Sequence, residues 1–201
     1  MTIDDTDFTD GFTRAAETRV PLLGVLAERW SPRSFDPDAT IDDHALDGAL
    51  EAARWAPSAS NSQPWRFIVG RRGTRTFEQI HGTLAGGNQG WADKAAALIV
   101  NVAETTDVDG TPRPWGHYDL GQSVAYLAAQ AHHDGLHAHQ MGGFDRDAIR
   151  RAFGLDDRLE PVSVIAIGVL ASPDALPDRL REREVAPRRR MPLDELVLQR
   201  D

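Results

Sequence analysis

Two unbroken apolar runs constrain this chain more than anything else in it. AALIVNVA (96–103) and PVSVIAIGVL (161–170) each have the length of a buried strand and carry no charge. A third segment, WRFIVG (65–70), is a further strand candidate, and LHAHQ offers a short one. Helical patterns lie between them. In 42–55, Leu46, Ala49, Leu50 and Ala53 fall on one stripe, and Thr40 or Asp42 can cap its start. Helices are also expected over 18–28, 74–84, 116–134 and 145–153, the last closed by Gly154. GGNQGW (86–91) reads as a loop, and the tail from 171, with Pro173, Pro177, Pro187 and Pro192, as largely extended. The order is α, α, β, α, β, α, (β), α, β, tail. Strict βαβ alternation is poor, so the expected class is α+β.

A chain of 201 residues suits one domain and can bury an adequate core without staples. It has no cysteine, which removes disulfides, thiolate metal sites and cysteine nucleophiles. No apolar run approaches the ~18 residues of a membrane span. The start, MTIDDTDFTDGF, is acidic where a signal peptide is basic, so a cytoplasmic location is expected. Residues 1–17 read as an acidic mobile tail. The net charge of −9 argues against a nucleic-acid binder, although 21 of the 22 basic residues are arginine and some cluster. No Rossmann glycine fingerprint, P-loop, zinc-protease helix or serine elbow occurs.

Four clusters carry possible chemistry. Arg29-Trp30-Ser31-Pro32-Arg33 would align two guanidiniums and a hydroxyl if extended. Arginine's planar fork suits phosphate, but a solvated basic turn also fits. Ala56-Pro57-Ser58-Ala59-Ser60-Asn61-Ser62-Gln63-Pro64-Trp65 is rich in uncharged hydrogen-bonding groups, or is a simple helix-to-strand connection. Gln140-Met141-Gly142-Gly143-Phe144 lets backbone approach a flat ligand, or is a turn. Arg188-Arg189-Arg190-Met191-Pro192 could complete an anion site with Arg29 and Arg33. With Asp178, Glu182 and Glu184 nearby, it also fits a self-paired surface. His132, His133, His137 and His139 crowd together but lack further ligands at metal spacing, so no metal is expected.

Together, R-W-S-P-R-S-F, A-P-S-x-x-N-S-Q-P-W, G-G-F-D and R-x-R-M-P-L resemble the nitroreductase family of FMN enzymes in order and spacing over residues 22–198. The resemblance implies a central, mainly antiparallel sheet flanked by helices. It implies an intertwined homodimer with FMN at the subunit interface and a C-terminal arm (172–201) on the partner, beyond a core domain of 18–171. Carried over by residue, Arg29, Trp30 and Ser31 match the phosphate-and-ribityl segment. Arg33 matches a basic position for the phosphate or for the flavin N1/C2 edge. Arg188 and Arg190 match the basic pair of the tail. Pro57, Ser58, Ala59 and Asn61 match a loop that covers the isoalloxazine from the other subunit. Met141, Gly142 and Gly143 match the backbone beside flavin N5, and Asn88 a side chain at the pyrimidine edge. The implied activity moves hydride from NAD(P)H through FMN to an electron-poor small molecule (nitroaromatic, quinone or enone), with no catalytic side chain of its own. Dehalogenation, flavin destruction or azoline oxidation on the same scaffold, and non-enzymatic anion binding, are the alternatives. Pro32, Gly90, Trp91 and the first 17 residues depart from the family pattern, and no residue pattern selects NADH or NADPH.

Overall fold

The computed structural model describes residues 14–201; most of the expected acidic tail lies outside them. Four strands form one antiparallel sheet: β1 (Trp65–Arg71), β2 (Ala97–Glu104), β3 (His137–Met141) and β4 (Leu159–Gly168), in the order β1-β2-β4-β3. The two apolar runs are therefore the central strands, and every residue of β2 is buried. β2 registers Trp65↔Ala103 on one side and Ala97↔Ile167 on the other. The β2–β4 register shifts between Asn101 and Val102, opposite Pro161, which has no N–H for the ladder. The class is α+β, as the element pattern implied.

Each sheet face builds its own core. Side chains of Ile99, Ala103, Ile165 and Ile167 meet α2 (Asp43–Arg54) and α5 (Gly116–His133). The alternate residues Leu98, Val100, Val164 and Ala166 meet α3 (Arg75–His81), α4 (Gly86–Ala92) and α6 (Arg146–Phe153). The α2 stripe buries Leu46, Ala49 and Ala53, and Asp42 caps the helix through Ala45 N at 2.7 Å. Gly154 ends α6 in the left-handed region at φ 62°. At Gly70 a Cβ would come 2.5 Å from Phe77 N, so glycine lets α3 lie close on β1.

Three expectations need correction. Residues 86–91 are not a loop but most of α4. Packing overrides the poor helix propensity of its glycines: Trp91 and Ala92 are fully buried, and Trp91 stacks on Phe35 with centroids 6.2 Å apart. The helix expected over 18–28 shrinks to α1 (Gly24–Glu28). The tail, expected to be largely extended and irregular, also holds two short helices, α7 (Asp178–Val185) and α8 (Leu193–Leu196). Pro177 and Pro192 sit just before these helices, where a missing N–H is harmless, so they start helices rather than prevent them. Leu176 and Leu180 pack onto this chain's own second core.

Candidate functional site

After α1 the chain turns extended at Arg29 (φ −60°, ψ 136°). Alternate side chains then share a side, and Arg29 Nη2 donates to Ser31 Oγ at 3.2 Å. The segment lies against β3. Trp30 meets the His137 ring edge-on at 6.5 Å, and Pro32 O is 2.8 Å from His139 Nδ1. Ser34 Oγ donates to Ser172 O at 2.6 Å. From α7, the Glu184 carboxylate accepts from Arg33 N at 2.6 Å and Ser34 N at 3.1 Å. It also lies 3.6 Å from Arg33 Nη1. Glu184 is 1% exposed, so it is not part of the solvated, self-paired surface that its neighbours suggest in sequence.

Above this segment is a cavity of about 250 Å³. Arg29, Trp30, Ser31 and Arg33 line it, together with Arg188 and Arg190 from the tail. Arg14 and Arg183, which no motif marked, line it too. Burial holds the Arg29 pKa below its usual value, with Arg188 and Arg190 adding repulsion. The same holds for Arg33, first by burial and then by Arg183, with Glu184 opposing. Six guanidiniums thus share one small space, and the buried Glu184 carboxylate beside them is bonded to main-chain N–H groups. This donor set fits a phosphate monoester: forked, charge-assisted donors with a hydroxyl among them. Among the described residues, no group of three or more His, Asp or Glu is placed to hold a metal.

The histidines serve packing instead. His139 lies 4.6 Å from the Trp91 ring, and His137 lies 5.2 Å from His132. Burial lowers both His137 and His139 to pKa values of about 4, so both are neutral at neutral pH. His133 is exposed at the end of α5.

Gly142 and Gly143 follow the far end of β3, with Met141 buried beneath them. Asn88, on α4, donates from Nδ2 to Gly143 O at 3.3 Å, and Ala85 N donates to the same oxygen at 2.9 Å. Gly142 has no positive φ, and a Cβ there would meet nothing within 4 Å. Neither backbone nor packing demands glycine at that position, which leaves open room for a ligand. The pair continues the edge strand beyond Met141, on the same strand that the arginine-bearing segment meets at His137 and His139.

The loop holding Pro57, Ser58, Ala59 and Asn61 is elsewhere. It leads into Trp65, opposite Ala103 at the end of β2, whereas the arginine cavity flanks His137, opposite Gly168 at the other end of the sheet. One chain does not bring these residues to its own arginines. The loop is strained: Ser60, Asn61 and Gln63 have φ of 53°, 54° and 47°. It is also firmly held. Ala59 N donates to buried Asp119 at 3.1 Å, and Arg113 Nη1 donates to Ser62 O at 3.1 Å. Arg66 Nη1 donates to Gln63 O at 3.0 Å. Arg66, Arg113 and Arg158 all converge on buried Glu104, at 3.2, 3.4 and 2.7 Å.

Known proteins share this architecture. An FMN-containing oxidoreductase of known structure superposes with a TM-score of 0.86 at 35% identity, over 92% of this chain and 94% of that one. A Desulfovibrio desulfuricans protein solved in complex with FMN gives a TM-score of 0.71 at 26% identity, over 92% and 99%. A 15.4 kDa protein of Mycolicibacterium smegmatis is 36% identical over 140 residues, 66% of this chain and 93% of the relative. Residues 26–80 and 70–169 match the Nitroreductase family, and the chain belongs to that family.

Proposed function

We propose that the protein is an FMN-dependent NAD(P)H oxidoreductase working as a homodimer. The observation that carries this reading is the split arrangement. An arginine cavity and the Gly142–Gly143 pair flank the edge strand β3, while the strained 57–63 loop leads into β1, the opposite edge strand of the sheet. A second copy supplies the missing half if its loop reaches this chain's edge strand. The outer face of α5 suits such pairing, with Tyr118 and Tyr126 exposed and Trp115 and Trp55 beside it.

When bound, FMN supplies hydride transfer between NAD(P)H and an electron-poor acceptor (nitroaromatic, quinone or enone) in alternating half-reactions. The chain's own residues bind and orient. Arg29, Ser31, Arg188 and Arg190 hold the phosphate. Glu184 fixes the main chain of Arg33 and Ser34, and so the direction in which Arg33 points. Asn88 steadies Gly143, keeping the glycine backbone open to the ring edge. The Glu104–arginine knot holds the loop that covers the ring from the partner.

An absorbance spectrum of the purified protein, before and after anaerobic NADPH and then NADH, tests the cofactor. Flavin bands that bleach support the reading, and bands that persist point to the specialised branches of the scaffold. No bands after incubation with FMN refute it. Mixing Arg29→Ala chains with Asn61→Ala chains tests the split site. Random exchange regenerates about a quarter of intact sites if each site draws on both copies. No recovery after subunit exchange refutes the shared site.

A further inference from the structure

Arg14 lies outside every sequence motif and before the family match begins, yet it lines the arginine cavity. Its guanidinium lies over the Trp30 ring, 4.3 Å from the centroid. Stacking uses the flat face and leaves the edge N–H groups for in-plane partners. One edge donor bonds to Ala186 O. Nε is buried with no hydrogen-bond partner.

The main chain around Arg14 is tied across the same cavity. Arg188 Nη1 donates to Arg14 O at 2.8 Å and to Ala27 O at 2.6 Å. Ala16 N donates to that same Ala27 oxygen at 2.8 Å. Residues 14–17 therefore link α1 to the C-terminal arm. Burial, Arg188 and Arg33 disfavour the Arg14 charge, and among the described residues Glu184 opposes them. A multiply charged anion in the cavity would relieve this repulsion.

We infer that Arg14 is a ligand of the cofactor's phosphate, carried on a strap (residues 14–17) that closes the phosphate cavity. The inference rests on the FMN reading and adds a residue that the family pattern does not contain. The test titrates the full chain, stripped of flavin, with FMN and with riboflavin, which lacks the phosphate. Arg14→Ala raises the FMN Kd about tenfold to a hundredfold, as for loss of one charged hydrogen-bonding partner, and leaves riboflavin binding unchanged. Arg14→Lys falls between. Equal weakening of both ligands would make Arg14 scaffold only, and unchanged FMN affinity would remove it from the site; either overturns the inference. If the unmutated chain binds neither flavin, the FMN reading fails and inorganic phosphate decides. Thermal stabilisation by phosphate that Arg14→Ala abolishes keeps Arg14 as an anion ligand; stabilisation that persists in the variant, or is absent from the unmutated chain, overturns it.

Discussion

Replacing Glu184 by glutamine removes a buried charge while keeping its shape. In the native protein the carboxylate accepts from two main-chain N–H groups, at 2.6 and 3.1 Å, and pairs with Arg33 at 3.6 Å. The Arg33 side chain is only 18% exposed, so solvent screens the pair weakly. The amide oxygen can still accept from both N–H groups, but as a neutral partner. A hydrogen bond to a charged group is worth about 1.5–3 kcal/mol against about 0.5–1.5 for a neutral one, so two bonds lose about 2–3 kcal/mol together. The glutamine NH₂ then faces a guanidinium, donor to donor, which pushes the loss toward the ~3–5 kcal/mol of a broken buried pair. For a chain of this size, about 3 kcal/mol lowers Tm by roughly 6–12 °C. Urea and thermal unfolding at fixed protein concentration, in phosphate-free buffer, read this out. Glu184→Ala falls further, because it also leaves both N–H groups without an acceptor. A Glu184→Gln protein that melts within about 2 °C of the parent would show that α7 does not clamp the 29–34 segment, and the argument would fail.

Two further outcomes follow from other parts of the molecule. His137 and His139 take up a proton near pH 6.5 when unfolded but only near pH 4 when folded, so the unfolded state binds more protons between these values. Stability is complete above about pH 6.5 and falls as pH drops toward 4, by up to ~3 kcal/mol per histidine. A urea midpoint that stays flat from pH 6.5 to 5, or a His139→Gln variant with an unchanged slope, would contradict this. At Gln63, φ of 47° costs a residue with a Cβ about 1–2 kcal/mol. Gln63→Gly should therefore raise Tm slightly while loosening the loop and lowering turnover; a lowered Tm would mean that the glutamine side chain, not the strain, dominates there.

What sequence reveals here depends on how far apart the cooperating residues lie. The strands were legible because a run buried on both faces must be apolar throughout, and β2 is buried at all eight positions. Helix α2 was legible because its stripe and its cap are encoded within fourteen residues of each other. Helix α4 was not, because its stability comes from Trp91 against Phe35 and His139, partners far away in the chain. The same rule divides the site. Arg29, Ser31 and Arg33 are neighbours whose alternation can be read directly, and a family resemblance ties them to Arg188 and Arg190. Glu184 reaches Arg33 across 151 positions, and Arg188 reaches Arg14 across 174. No spacing rule spans such distances, and an acid among arginines in sequence reads as surface pairing. In the fold it is the reverse: the acid is the buried member, and the arginines it leaves uncompensated face the cavity. The excess positive charge is therefore held in place by the structure around it, and so the sharpest consequences of the fold lie in α7 and in residues 14–17, not in the four sequence motifs.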